Sequence, residues 1–354
     1  HKMLTTVAEG RCYDYSHSLG RSSQSGMGFY FPCGVTLSEN GTTYVINRGA
    51  EVISNVPWDK TGVGARVSII TLGSAHGEET FDGEFGKYGS GPGEFIWPTG
   101  IVLSSDNKLY VTDEYMDRVS IFDSEGNFLS EFYITDQPGT FGAAGIAIDK
   151  DDNLYITGGF ANEIRKYSTS GELIKSWGEL GSDEGQLNRP WGITIDAKGT
   201  LYVADHKNHR IQLFGTDGTY IRSIGSYGNK YGELDHPTAV AVDNEGDIYV
   251  SDWAPNTMHW GKVHIYKEDG SFITALEGDA VQLSKWAEMT IAANTDYLRR
   301  RREVKSTESE WSFVLPAGVS FDHANNRLIV SDSQRSRIQV YNKVEGYMVP
   351  QLNL

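Results

Sequence analysis

The stretch RPWGITIDAKGTLYVADHKNHRIQLF (residues 189–214) decides the fold. It contains three short segments, GITID, LYVAD and RIQLF, rich in β-branched and aromatic residues. Ala-Lys-Gly-Thr separates the first two and His-Lys-Asn-His the last two. Short alternating segments bounded by turn residues predict antiparallel β-strands.

The same three-part pattern recurs along the chain, and a fixed repeat outranks local detail in fixing a fold. RPWGITID (189–196) returns as FPCGVTLS (31–38), WPTGIVLS (97–104), HPTAVAVD (236–243) and LPAGVSFD (315–322), and without its proline as AAGIAID (143–149). LYVAD returns as TYVIN, LYVTD, LYITG, IYVSD and LIVSD, and RIQLF as RVSII, RVSIF, EIRKY, KVHIY and RIQVY. Turns such as DSEG, STSG, GTDG and KEDG then lead into a fourth strand. Six units of four strands predict an all-β fold: one six-bladed β-propeller domain over residues 1–354.

The unit starts are 45, 47 and 47 residues apart in the middle of the chain, but 66 after Pro32 and 79 after Pro237. A blade needs roughly 40–50 residues, so two insertions are expected, at 49–65 in blade 1 and at 279–312 between blades 5 and 6. With strands lettered A to D from the axis outward, the B–C loops and D–A crossings share one face. Both insertions fall there, which marks that face as functional. Helical spacing in 280–304 predicts a helical lid over the channel, and Arg299–Arg302 fall near its C-terminal end. The N-terminal LTTVA (4–8), with GYMVP (346–350) as its rival, is expected to supply the last outer strand.

Composition narrows the partners. With 31 Lys and Arg against 47 Asp and Glu, the net charge is −16, which argues against a nucleic-acid surface. No run approaches the ~18 apolar residues of a membrane helix, so no membrane partner is expected. Cys12 and Cys33 are too few for a disulfide framework. No signal peptide is visible, and both a cytoplasmic chain and a secreted one with its leader removed fit the sequence. Oligomeric state stays open.

Residues that recur in every unit serve the unit. Asp113–Arg118, Asp205–Arg210 and Asp332–Arg337 are therefore expected to tie strand B to strand C, with His209 belonging to that scaffold. Positions that vary between blades are better site candidates. The residue after the strand-B end is Arg48, Glu114, Gly159, His206, Trp253 or Ser333. The middle of Pro-x-Gly is Cys33, Thr99, Ala144, Trp191, Thr238 or Ala317. Such a ring suits a pocket with an apolar wall and a few polar groups. Arg48, Glu114 and His206 are the catalytic candidates: a fork for an anion, and a carboxylate and an imidazole for acid–base work. Tyr115, Phe160, Trp191, Trp253 and His259 are the substrate-binding candidates. Metal ligands stay unassigned, because a zinc site needs three converging ligands and the sequence displays no such trio.

The repeated Pro-x-Gly-Ile-x-x-Asp, LYVxD and NHRIQxF motifs resemble the NHL repeat family over nearly the whole chain. TYVINRGAE (43–51) is similar to the His-Arg-Gly strand end of the peptidyl-hydroxyglycine amidating lyases, which implies a substrate contact for Arg48. Those lyases bind zinc through histidines at the middle of Pro-x-Gly, where this chain has Thr99, Trp191 and Ala317. Their catalytic tyrosine is matched by Phe160. The zinc set and the tyrosine hydroxyl are absent, so the resemblance does not carry that reaction. It does leave room for Ca2+ held by carbonyls in the axial channel. Two functions compete: an enzyme, lyase or hydrolase, with a lidded axial pocket for a small anionic or polar substrate, and a non-catalytic module binding protein, peptide or glycan at the axial mouth. RNA ranks third.

Overall fold

In the computed structural model, residues 4–53, 56, 60–254, 260–303 and 309–347 are described. They form six four-stranded antiparallel blades, the last extended by a fifth strand. Blade 1 runs Pro32–Leu37, Thr42–Asn47, Arg66–Thr71 and Thr80–Phe85. Blade 4, with the opening stretch, runs Pro190–Ile195, Thr200–Asp205, Arg210–Gly215 and Tyr220–Ile224. Blades 2, 3 and 5 repeat this order.

Burial follows strand position. In blade 2 every residue of strands B and C is buried, whereas strand D, Phe128–Tyr133, is exposed or half-buried throughout. Apolar side chains on both faces of each blade meet those of its neighbours, giving six hydrophobic clusters, one in each gap between blades. Each fully buried Leu, Ile or Val there contributes about 1.5–3 kcal/mol relative to exposure, so the ring is held by its gaps.

The recurring acids and arginines are scaffold, in more detail than their spacing disclosed. Asp205 accepts the Asn188 backbone N–H and binds Arg210 Nε at 2.9 Å. Arg210 in turn donates to the carbonyls of Ser182, Asp183 and Gln186 in the crossing loop that enters its blade. Asp332–Arg337 repeats the pair at 2.6 Å. In blade 2 the roles divide. Asp113 accepts four backbone N–H groups, and Arg118 grips the carbonyls of Ser90, Gly91 and Glu94.

The ring closes through the N-terminal part of the chain, but by a different segment from the one expected. Arg11–Leu19 pairs with Arg337–Lys343 as strand D of blade 6. Thr5–Ala8 turns back through Glu9-Gly10, both at positive φ, to pair outside it as a fifth strand. Two consecutive positive φ values match a hairpin turn whose twist suits the flanking strands. The rival segment lies partly outside the described residues. A buried ionic cluster clasps this join to blade 5. Lys343 Nζ lies 2.5 Å from Asp243 Oδ2 and 3.0 Å from Asp247 Oδ2, and Arg11 holds both oxygens of Asp247 at 3.0 Å.

The insertions also depart from expectation. In blade 1, Ala50–Ile53 and Lys60–Val63 form a two-stranded hairpin. Residues 280–304 do not form one helix. Lys285–Ala293 (α1) and Asp296–Glu303 (α2) are separated at Asn294, whose extended backbone ends α1 and whose side chain accepts the Asp296 N–H. Nor does α1 cover the channel. Trp286 is 1% exposed against Phe29 in the cluster between blades 6 and 1. Ser284 caps the helix and hydrogen-bonds to Gly20, while Lys285 donates its backbone N–H to Glu79. These anchors hold α1 on the outer side of the ring. Among the described residues, none of 279–312 lines the axial mouth, and no helix is long and apolar enough to cross a membrane.

Candidate functional site

The Pro-x-Gly turns place the chain closest to the axis. A Cβ on Gly34, Gly145, Gly192 or Gly318 would meet the carbonyl of the middle residue in the following blade, for Gly318 at 1.9 Å from Cys33 O. Glycine is needed there because neighbouring backbones touch. One residue further on, Val35, Ile101, Ile146, Ile193, Val240 and Val319 form an aliphatic waist. The waist separates a mouth cavity of ≈ 320 Å³ from a second cavity of ≈ 470 Å³ at the opposite end of the axis.

The mouth cavity is lined by Arg48, Glu114, Trp191 and Trp253 together with the Pro-x-Gly residues. Arg48 Nη2 binds Glu114 Oε2 at 2.8 Å, and its guanidinium lies 5.5 Å from the Trp97 ring centre. Both side chains of this pair are partly exposed, at 35% and 18%. On the opposite wall Trp191 meets Trp253 edge to face at 4.8 Å. Trp253 Nε1 is buried with no hydrogen-bond partner among the described residues. The pocket thus has an ionic side, an indole side and an apolar floor.

The other candidates sit elsewhere. His206 lies behind Trp191, stacked on it at 3.9 Å with the rings 10° apart, and does not line the cavity. Its Nδ1 donates to Pro237 O at 3.0 Å. Burial pushes its imidazole down to about 3, so the ring is neutral at physiological pH and does not titrate near neutrality as expected. Its repeat-mate Ser333 bonds Pro32 O in the same way, so both stitch one blade to the next. That shared repeat position was the available clue. Tyr115 stands 46% exposed at the rim against Trp97. Phe160 is half-buried beneath the Arg189 guanidinium at 4.9 Å. His259 lies outside the described residues.

Sequence reasoning placed Cys33 in the ring without giving it a role; it lines the cavity and contacts the carbonyls of Ile46, Pro98 and Thr99. Burial pushes its thiol up to about 11, against a smaller opposing pull from Arg48. It is a thiol at neutral pH and a poor nucleophile. The axial carbonyls considered for calcium are partly engaged: Thr99, Thr157 and Thr238 donate to Ala143, Trp191 and Pro316. Sequence reasoning also found no converging metal ligands. The structure brings His209, Asp235 and His236 together, with one ligand atom from each within 4.8 Å of the others.

Comparison with known proteins fits this architecture. The family model for the NHL repeat matches residues 187–214 and 313–341, in blades 4 and 6. Protein lin-41 of Caenorhabditis elegans is 47% identical over 47 residues, 13% of this chain and 4% of that protein's length. Among solved structures, virginiamycin B lyase from Staphylococcus aureus is 15% identical with a TM-score of 0.53, over 94% of this chain and 100% of that one. A protein of unknown function from Bacteroides thetaiotaomicron is 15% identical with a TM-score of 0.59, over 94% and 76%. At such identities the likeness is one of fold. With the repeat model matched in two blades and the same four-strand unit in all six, the chain is a six-bladed β-propeller that carries NHL repeats.

Proposed function

We propose that the mouth cavity binds a small polar or anionic substrate and acts as a lyase. The observation that carries this reading is the Arg48–Glu114 pair facing two indoles in one cavity. An incoming carboxylate or enolisable carbonyl competes for the Arg48 fork and frees Glu114. Glu114 then takes a proton from the carbon beside the carbonyl, and that electron pair forms a carbon–carbon double bond. The leaving group departs with the electrons of its own bond, and Arg48 stabilises the charge that develops on the carbonyl oxygen. Trp191 and Trp253 hold the apolar part of the substrate, and Trp253 Nε1 supplies an unused donor. Neutral His206 positions Trp191. Bond cleavage through the Cys33 thiol is disfavoured by its raised pKa. The lyase name of a structural neighbour supports the reaction class by analogy of fold alone.

The test is turnover on a panel of β-substituted carboxylates, esters and cyclic peptides, virginiamycin B among them. Arg48→Ala is expected to lower kcat/KM about 10- to 100-fold through loss of a charged hydrogen bond. Glu114→Gln should lower kcat about 100-fold or more with KM little changed. Turnover indifferent to both substitutions refutes the reading. Tight peptide or glycan binding at the exposed Tyr115 rim without turnover would instead establish a binding module.

A further inference from the structure

We infer that His209, Asp235 and His236 form a site for a divalent first-row transition ion of the zinc class, distinct from the axial pocket. His209 comes from the B–C turn of blade 4. Asp235 and His236 come from the crossing that enters blade 5. None of the three is the middle residue of a Pro-x-Gly turn. The site is therefore built across a blade boundary, off the axis.

Three observations converge on it. First, one ligand atom from each residue lies within 4.8 Å of the others, and His236 Nδ1 is 2.8 Å from Asp235 Oδ1. Ligands on one zinc ion, at about 2.0–2.2 Å each, lie up to about 4 Å apart. The set closes onto an ion with a shift of roughly 1 Å, which rotation of the one-third-exposed His236 ring can supply.

Second, Asp235 is only 2% exposed, and its Oδ2 has no hydrogen-bond partner among the described residues. A buried carboxylate oxygen without a partner is costly. A cation beside the carboxylate removes that cost. The backbone N–H groups of Asp235 and His236 are both held by Asp252, at 3.0 and 2.6 Å, so the loop bearing two of the ligands is fixed before any ion binds.

Third, His209 is oriented as metal-binding histidines are. Its Nδ1 donates to the Asp235 backbone carbonyl, which leaves the lone pair on Nε2. Ligating histidines characteristically give their other ring N–H to a carbonyl or carboxylate. His209 adopts a left-handed backbone, φ 56°, to reach this position.

Two imidazoles and one carboxylate form a donor set that suits zinc and its neighbours rather than calcium or magnesium. Three protein ligands leave a further coordination position open to water. Tyr227, 63% exposed, lies against His209 at 4.5 Å on the solvent side. On the inner side the His236 ring lies 4.9 Å from His206, which stacks on Trp191. An ion here clamps blade 4 to blade 5 one ring behind the aromatic wall of the axial cavity.

The test uses the full chain stripped with chelator and titrated with Zn2+ alone, read by calorimetry, and with Co2+, read by its visible d–d bands. The wild type is expected to take up one high-affinity equivalent, and Co2+ bands are expected to show nitrogen and oxygen ligation. Free zinc at 100 times Kd should raise the melting temperature by about 4 °C. His236→Ala, His209→Gln and Asp235→Asn should each weaken binding about tenfold or more, while His323→Ala on the opposite face leaves it unchanged. His236→Ala removes a partly exposed side chain and serves if a buried substitution misfolds. Absence of a stoichiometric site in the wild type overturns the proposal. So does zinc affinity that survives both His236→Ala and His209→Gln.

Discussion

Lys343→Met removes the one ammonium shared by Asp243 and Asp247. The Lys343 side chain is 4% exposed and the two carboxylates 0% and 2%, so water cannot replace it without opening the join. Breaking a buried ion pair by deleting one partner costs about 3–5 kcal/mol, because the remaining charge is stranded. Unfolding entropy of about 2.1 cal/mol/K per residue over 354 residues converts this to a fall in Tm of about 4–7 °C. Arg11 keeps its grip on Asp247, so the stranded group is chiefly Asp243. Lys343→Met with Asp243→Asn should therefore recover part of the loss. Calorimetric melts at neutral pH check both variants.

The pH dependence of this clasp supplies a second readout. Burial raises the Asp247 carboxyl, but Arg11 and Lys343 outweigh it and hold the group below its ordinary value. Burial likewise lowers the Lys343 ammonium, and the two aspartates more than offset it. A depressed carboxylate contributes stability that is present above its unfolded pKa, about 3.9, and is lost as pH falls through the folded value. The Tm gap between wild type and Lys343→Met should therefore narrow below about pH 4. A single variant melting within about 1 °C of wild type at neutral pH would refute the idea that this cluster holds the ring shut.

Other substitutions probe separate parts of the ring. His206 stays neutral in the fold down to about pH 3, so between that value and about 6.5 the unfolded chain takes up a proton that the folded chain does not. Stability should fall with pH across that window, and His206→Gln should remove up to about 2 kcal/mol of the loss between pH 7 and pH 5 in denaturant titrations. Trp286→Ala should cost about 3–5 kcal/mol and speed protease cleavage at the α1–α2 connection; melting and cleavage unchanged from wild type refute its role in holding α1. Gly318→Ala drives a Cβ into Cys33 O and should cost at least 1–3 kcal/mol by roughly the overpacking scale. Gly159→Ala, whose nearest neighbour would be 3.4 Å away, should melt near wild type.

The blades were legible because each is local: Pro-x-Gly, LYVAD and RIQLF lie within 26 residues, and the pattern recurs six times with the proline lost once and the glycine once. The Asp205–Arg210 tie was legible for the same reason. The closing strand was not, because RCYDYSHSL carries neither the flanking turn nor the motif of the other blades, and its partner lies more than 300 residues away. The helical period of 280–304 was sound, but period does not say against what an apolar face packs. For α1 that is Phe29 and the outer gap rather than the mouth. The site was half legible. Arg48, Glu114, Trp191 and Trp253 do line one cavity, since the repeat fixes their height on the ring. His206 was misplaced because its chemistry was weighed ahead of its repeat position, which it shares with the blade-stitching Ser333. The His209–Asp235–His236 group was missed because its members belong to two blades and only the ring's curvature brings them together.

The hairpin of Thr5–Ala8 and Arg11–Leu19 has a consequence for biosynthesis. The hairpin is local and can form as soon as it leaves the ribosome, which covers one edge of Arg11–Leu19 from Arg11 to Asp14. The other edge must wait for Arg337–Lys343. At roughly 5–20 residues per second, that wait is about 16–63 s for the 317 residues between Leu19 and Arg337. Throughout it, an unpaired strand edge bearing the apolar Tyr13, Tyr15 and Leu19 is open to other chains. The nascent protein is therefore most prone to aggregate before its last blade emerges, and the polar Asp14, Ser16, His17 and Ser18 along that same strand are the residues placed to restrain it.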